Sequence, residues 1–151
     1  MKKLITVAAV LTLALTNCKY EEGFALTNVE KRIRGMWSVS SVYKNGEKTD
    51  TESPTVVESQ GAMYEFYKTK FLLIRYLYNN IVCQSNGDWK FGEKKKTVEL
   101  TFKNQYSLTI SRSYEIVKFT NKELKVRFTD DDGIKWILVL VIEQDFVPYD
   151  R

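Results

Sequence analysis

The chain has 151 residues, 44% of them hydrophobic and 28% charged, with 23 basic and 19 acidic side chains and a formal net charge of +4. It contains no histidine, which excludes histidine-based triads, histidine-ligated zinc and the usual general base near pH 7. Basic and acidic residues alternate, as in Glu93 beside Lys94-Lys95-Lys96 and then Glu99, so the like-charge blocks that mark a nucleic-acid-binding protein are missing.

In chain order, Met1-Lys2-Lys3 and the apolar run Leu4 to Leu15 match the n-region and h-region of a bacterial export signal. The run is too short for a permanent span, which needs roughly 20 residues. Leu15-Thr16-Asn17-Cys18 resembles the lipobox of bacterial lipoproteins, with Asn17 where that family usually carries Gly, Ala or Ser. The resemblance implies loss of residues 1–17 and a Cys18 that bears a thioether-linked diacylglycerol and an amide-linked acyl chain. Two or more chains anchor a protein stably, whereas one does not. The other readings are ordinary cleavage after Thr16, with Ala14 and Thr16 as the small pair, and an uncleaved anchor. Lys19-Tyr20-Glu21-Glu22 resembles the short lysine-plus-acid tag of cell-surface lipoproteins of the Bacteroidetes. A plain solvated tether reads the same.

The organisation is then a signal peptide (1–17), a lipidated tether (18–30) and one domain (31–151). Processing leaves 134 residues and a net charge of +2, since Lys2 and Lys3 depart; that is enough chain for one buried core. With Cys18 acylated, Cys83 is the single thiol, so no internal disulfide forms and packing must supply the stability. Cys83 reads as an ordinary, partly buried thiol.

A short helix is predicted within Gly23–Arg34, with Asn28 as its cap. The rest reads as strands. Thr97–Phe102 places Val98, Leu100 and Phe102 on one face, and Glu123–Phe128 does the same with Leu124, Val126 and Phe128. Further strands are predicted over Met36–Lys44, Ala62–Lys68, Lys70–Tyr78, Gly87–Phe91, Tyr106–Ile110, Ser113–Phe119 and Ile134–Glu143. Turns are predicted at Asn45-Gly46, Asn86-Gly87, Thr120-Asn121-Lys122 and Asp131-Asp132-Gly133.

Eight or nine short, evenly spaced strands mean a barrel or a sandwich. Gly35-Met36-Trp37 opens the first strand after a helical turn, and Gly87-Asp88-Trp89 repeats the motif. This order of features resembles the lipocalins, and specifically the lipocalin-like domains of small Bacteroidetes lipoproteins. The resemblance spans roughly residues 30–143 and implies an all-β, eight-stranded antiparallel up-and-down barrel with a short N-terminal helix; a β-sandwich is the alternative. It also implies a tryptophan, here Trp37, that packs the closed end beneath an arginine, for which Arg112 and Arg127 are the candidates.

Little catalytic chemistry is legible. Asp130-Asp131-Asp132-Gly133 invites calcium, but counting from that glycine puts Phe128 and Val139 at positions where an EF-hand loop needs ligands. A polar turn is predicted instead. No carboxylate pair stands at a glycosidase spacing, so no enzyme activity, metal or cofactor is expected. The aromatic load is more telling, because tyrosine offers an apolar body with a polar tip. Trp37, Tyr64, Phe66, Tyr76, Trp89 and Trp136 are the predicted ligand liners. Both faces of Phe71–Tyr78 and of Ile134–Glu143 are apolar, which suggests a covered or partner-facing surface.

Three readings follow. A binding module would hold a small hydrophobic molecule or a glycan in its open end; an accessory or inhibitor lipoprotein with a filled barrel would bind an envelope protein; a carboxylate hydrolase is the least supported. Small eight-stranded barrels occur both hollow and filled. The expectation is a non-catalytic lipoprotein of the outer membrane, on the periplasmic face or the cell surface, held by its lipid anchor.

Overall fold

In the computed structural model, which describes residues 29–144, the period-two alternation becomes a closed antiparallel wall. The elements are α1 (Val29–Ile33), β1 (Gly35–Lys44), β2 (Glu47–Thr49), a 3-10 turn (Val56–Glu58), β3 (Met63–Phe66), β4 (Phe71–Tyr78), β5 (Ile81–Phe91), a second 3-10 turn (Glu93–Lys95), β6 (Thr97–Lys103), β7 (Thr109–Phe119), β8 (Glu123–Thr129) and β9 (Lys135–Gln144). The export signal, Cys18, the tether up to residue 28 and the Asn28 cap lie outside the described residues.

Strands β3 to β9 pair in sequence order, and β1 closes the ring against β9 from Met36↔Gln144 to Lys44↔Trp136. This is the eight-stranded barrel expected, plus one short strand. That strand, β2, shares an edge of β1 with β3: β3 pairs with Gly35–Ser38, and β2 pairs with Val42–Lys44. Between them, residues 50–62 leave the wall.

Turn chemistry sets the register. Asn45 and Gly46 have φ of 51° and 89°, the left-handed pair that a two-residue hairpin needs. The predicted turn at Asn86-Gly87 is a correction: both residues lie inside β5, and the chain reverses at Asn79-Asn80, with φ of 51° and 61°. Gly87 serves close approach, because a Cβ there would run into the Thr101 carbonyl on β6. The predicted strands Tyr106–Ile110 and Ser113–Phe119 are also corrected. They are one strand, β7, which starts at Thr109, while the Asn104 side-chain oxygen accepts from the amides of Tyr106 and Leu108 to form the preceding turn. The expected Asp turn is present: Asp130 Oδ1 accepts from the amides of Asp132 and Ile134.

Inward positions alternate as expected. Val98, Leu100 and Phe102 on β6, Leu124 and Val126 on β8, and Trp136, Leu138 and Leu140 on β9 are all buried. On β4, Leu72, Ile74 and Tyr76 point inward; of the opposite face, Leu73 is buried while Leu77 is open to solvent.

Candidate functional site

The strand directions define two ends. At the closed end, α1 lies over the entry of β1, and the fully buried Trp37 donates its indole N–H to the Ile33 carbonyl at 2.8 Å. Its ring meets Phe119 at 6.0 Å, and the Arg32 guanidinium sits 5.5 Å from the Phe119 ring centre. The arginine packed here is therefore Arg32, which corrects the expectation of Arg112 or Arg127. Arg127 alternates outward on β8 and makes a two-pronged pair with its cross-strand neighbour Glu115, at 2.8 and 2.7 Å. That contact holds the Glu115 carboxyl below its usual range.

The six predicted ligand liners are all buried, and they spread from floor to rim. Phe66 stacks near Tyr64 at 6.3 Å and meets the edge of Trp89 at 5.6 Å. Trp89 donates to the Tyr67 carbonyl at 3.0 Å and carries the Lys70 ammonium 4.2 Å from its ring centre. Tyr76 faces Cys83 across the β4–β5 ladder. Trp136 stands at the opposite rim, donating to Asp130 Oδ2 at 2.7 Å, a contact that lowers the Asp130 pKa. The interior void bounded by Tyr64, Phe66, Leu100, Tyr114, Val126 and Leu138 measures about 10 Å³, close to the minimum for a single water. The barrel is filled.

Part of that filling comes from residues 50–62. Val57 and Glu58 are fully buried inside the open end, which the segment enters between β2 and β3. Arg112, on β7, grips the Glu58 carboxylate with two prongs, Nε to Oε1 at 3.0 Å and Nη2 to Oε2 at 3.2 Å. The Tyr114 hydroxyl donates to the same Oε1, and Thr55 donates to Oε2 at 2.9 Å. Tyr64 donates to the Val57 carbonyl at 3.0 Å. Burial first, and the Glu58 charge second, push the Tyr64 and Tyr114 hydroxyls well above their ordinary pKa. This polar cluster escaped the sequence reading. Its signal was available: Ile110, Arg112, Tyr114 and Ile116 alternate as one face, so a charge sits at an inward position and demands a buried partner.

The rim itself is apolar. Leu77, Ile81 and Val82 on the β4–β5 hairpin and Tyr106 and Leu108 on the β6–β7 turn are between 60 and 71% exposed. The Tyr106 hydroxyl, on the neighbouring hairpin, raises the pKa of Tyr78. The segments Tyr76–Gly87 and Asn104–Ser111 hold no charged residue in a chain that is 28% charged. Two broad depressions also mark the surface. One, of about 1050 Å³, is bordered by Lys96, Glu115, Arg127 and Lys135; the other, of about 680 Å³, by Asp88, Lys90, Glu99 and Arg112. Both mix charged side chains with apolar ones, Phe128, Trp136 and Ile137 in the first and Trp89 and Leu100 in the second.

The strand order, the closure of β1 on β9 and, among the described residues, the near absence of helix define a closed eight-stranded antiparallel barrel with one added strand. Among solved structures, the crystal structure of a lipocalin-like protein from Bacteroides uniformis ATCC 8492 matches with a TM-score of 0.53 and 10% identity, covering 74% of this chain and 98% of that one. The fold is therefore lipocalin-like. No protein-family model and no curated protein matches the chain.

Proposed function

We propose that this protein is a non-catalytic interaction module of a Gram-negative envelope, lipid-anchored to the outer membrane through Cys18, that docks on another envelope protein through the apolar rim of its open end. A lipocalin-like barrel is a binding scaffold, and one observation carries the choice of target. The interior is filled while Leu77, Ile81, Val82, Tyr106 and Leu108 face water. An uncharged apolar patch that leaves its own barrel full is better suited to a partner surface than to a cargo. The anchor argues for a protein rather than the home bilayer. α1, on the Cys18 side of the barrel in the chain, lies at the closed end, opposite the rim.

The test uses the full chain in its native membranes, with a photo-crosslinking side chain at Val82. A discrete adduct with one other protein, lost in the variant Leu77→Ser with Ile81→Ser, is expected. Crosslinks only to lipid, only to a second copy, or to nothing overturn the docking claim. The anchor is checked separately by Cys18→Ala, which should release the protein from the membrane fraction; unchanged fractionation would sink that part. The carrier reading, a small hydrophobic molecule or glycan held by the six aromatic residues, requires the interior to be emptied first.

A further inference from the structure

We propose that the closed end of the barrel is a cationic face that seats on the anionic phospholipid headgroups of the membrane, and that this contact turns the apolar rim away from the bilayer; the inference rests on the Cys18 anchor argued above and adds which face of the barrel meets the lipid. The fold sorts charge by end. At the closed end, α1 with Arg34 (29–34) and the strand connections 67–70, 92–96 and 120–122 carry nine basic and two acidic side chains. At the open end, the connecting segments 45–62, 79–80, 104–108 and 130–134 carry seven acidic side chains and one basic. The two ends therefore hold formal charges of +7 and −6, in a chain whose total is only +4.

The polarity follows from topology. In an antiparallel barrel whose strands pair in chain order, alternate connections fall at the same end, so basic segments that are far apart in the chain meet on one face. Some of these cations are already engaged. Lys70 pairs with Glu30 at 3.4 Å and lies over Trp89, and Arg32 lies over Phe119. Lys31, Lys94 and Lys122 are open to solvent and enter no ion pair among the described residues. At the other end, Asp50, Asp131 and Asp132 are likewise exposed. Glu58 adds nothing to the outward field, because Arg112 neutralises it inside the barrel.

The position of the anchor in the chain brings the cationic end within reach of lipid. Ten residues separate Cys18 from Val29, so even at full extension an acylated Cys18 stands within about 40 Å of the closed end. That length alone sets no orientation. The field does: each lysine close to an anionic bilayer surface favours the seated pose by about fivefold, and the acidic end is repelled by the same surface. The attraction fades beyond about 10 Å at 0.1 M salt, so the end connections contribute and the far rim does not. Leu77, Ile81 and Val82 lie at the acidic end, and the torque that seats the closed end presents them to the aqueous side.

The full chain, purified with its lipid and reconstituted in vesicles, tests this by hydrogen exchange. Vesicles of phosphatidylcholine are compared with vesicles that also contain phosphatidylglycerol. An anionic surface depletes hydroxide beside it, so amides in 92–96 and 120–122 should exchange about threefold more slowly on the anionic vesicles, while those in 79–80 and 104–108 stay unchanged. The slowing should disappear at about 1 M salt, where charges are screened beyond about 3 Å. It should also shrink in the triple variant Lys31→Gln, Lys94→Gln, Lys122→Gln, which removes three exposed charges and no ion pair and so should weaken seating on the order of 100-fold. Equal exchange on both vesicles overturns the proposal. So does slowing that survives salt or the triple variant, or slowing at 79–80 and 104–108 instead. Flotation keeps the anchor separate: a chain that fails to float with neutral vesicles refutes the anchor, and the anionic vesicles then decide, since at low salt they should still float the wild type and release the triple variant. Absence of that flotation overturns the cationic face as well. The Val82 crosslink reads the rim independently of all these outcomes.

Discussion

The two ends of the barrel are closed by different physics. The end beneath α1 is sealed by rings: Trp37 against Phe119, with one neutral hydrogen bond to Ile33 and the flat guanidinium of Arg32 laid over the outside. The other end is sealed by a charge, Glu58 held by Arg112 and Tyr114, on a segment outside the sheet. Apolar burial is non-directional and accumulates with area, so the first seal has no single weak point short of removing a ring. A buried ion pair depends on both members being present. The first end is thus a floor, and the second a latch.

Removing the floor should give the largest effect. Trp37→Ala deletes a fully buried indole, and substitutions of that kind cost about 3–5 kcal/mol; urea unfolding should show it as a lower midpoint. The latch should respond in a way the floor cannot. Arg112→Met strands the Glu58 carboxylate in the core and should cost about 3 kcal/mol, whereas Glu58→Met with Arg112→Met should return near to wild type or above it. Should the double variant prove as unstable as the single one, the seal is not an ion-pair latch, and the contrast between the ends is lost.

The floor was legible in the sequence and the latch was not. Gly35-Met36-Trp37 follows a helical turn within a few residues, so contacts local in sequence disclose the closed end, as Trp37 to Ile33 illustrates. Period-two alternation likewise disclosed most strands, because an inward face on every strand is what a barrel requires. Glu58 and Arg112 are 54 residues apart, and the residues around Glu58 show no alternation, since they belong to no strand. Gly87 misled for a related reason. Glycine beside asparagine is a turn signal, but here the glycine answers to the Thr101 backbone on β6, a neighbour that only the folded wall supplies. Trp37, Tyr64, Phe66, Tyr76, Trp89 and Trp136 are all buried. What alternation does not report is whether inward side chains leave a space between them, and that depends on a segment the pattern passed over.

The smallest effect distinguishes the two ends by pH. Tyr64 and Tyr114 beside the latch are held neutral, first by burial and then by the Glu58 charge, so their folded pKa lies well above the unfolded value near 10. A raised folded pKa means that the associated stability is intact below pH 10 and is lost as the pH climbs toward the folded value. At pH 10, each tyrosine should cost about 0.4 kcal/mol, because half of the unfolded phenols are then ionised. By pH 11 the figure is about 1.4 kcal/mol each. Tyr114→Phe removes one of these groups along with its hydrogen bond to a charged oxygen, so at pH 8 the variant should be less stable by about 1.5–3 kcal/mol. That deficit should then shrink by about 1.4 kcal/mol between pH 8 and pH 11, as read from paired urea titrations. Trp37→Ala has no such group to lose, and its deficit should stay level over the same range. If the Tyr114→Phe deficit is also level, Tyr114 ionises in the folded protein, and the open end admits water where the structure has it sealed.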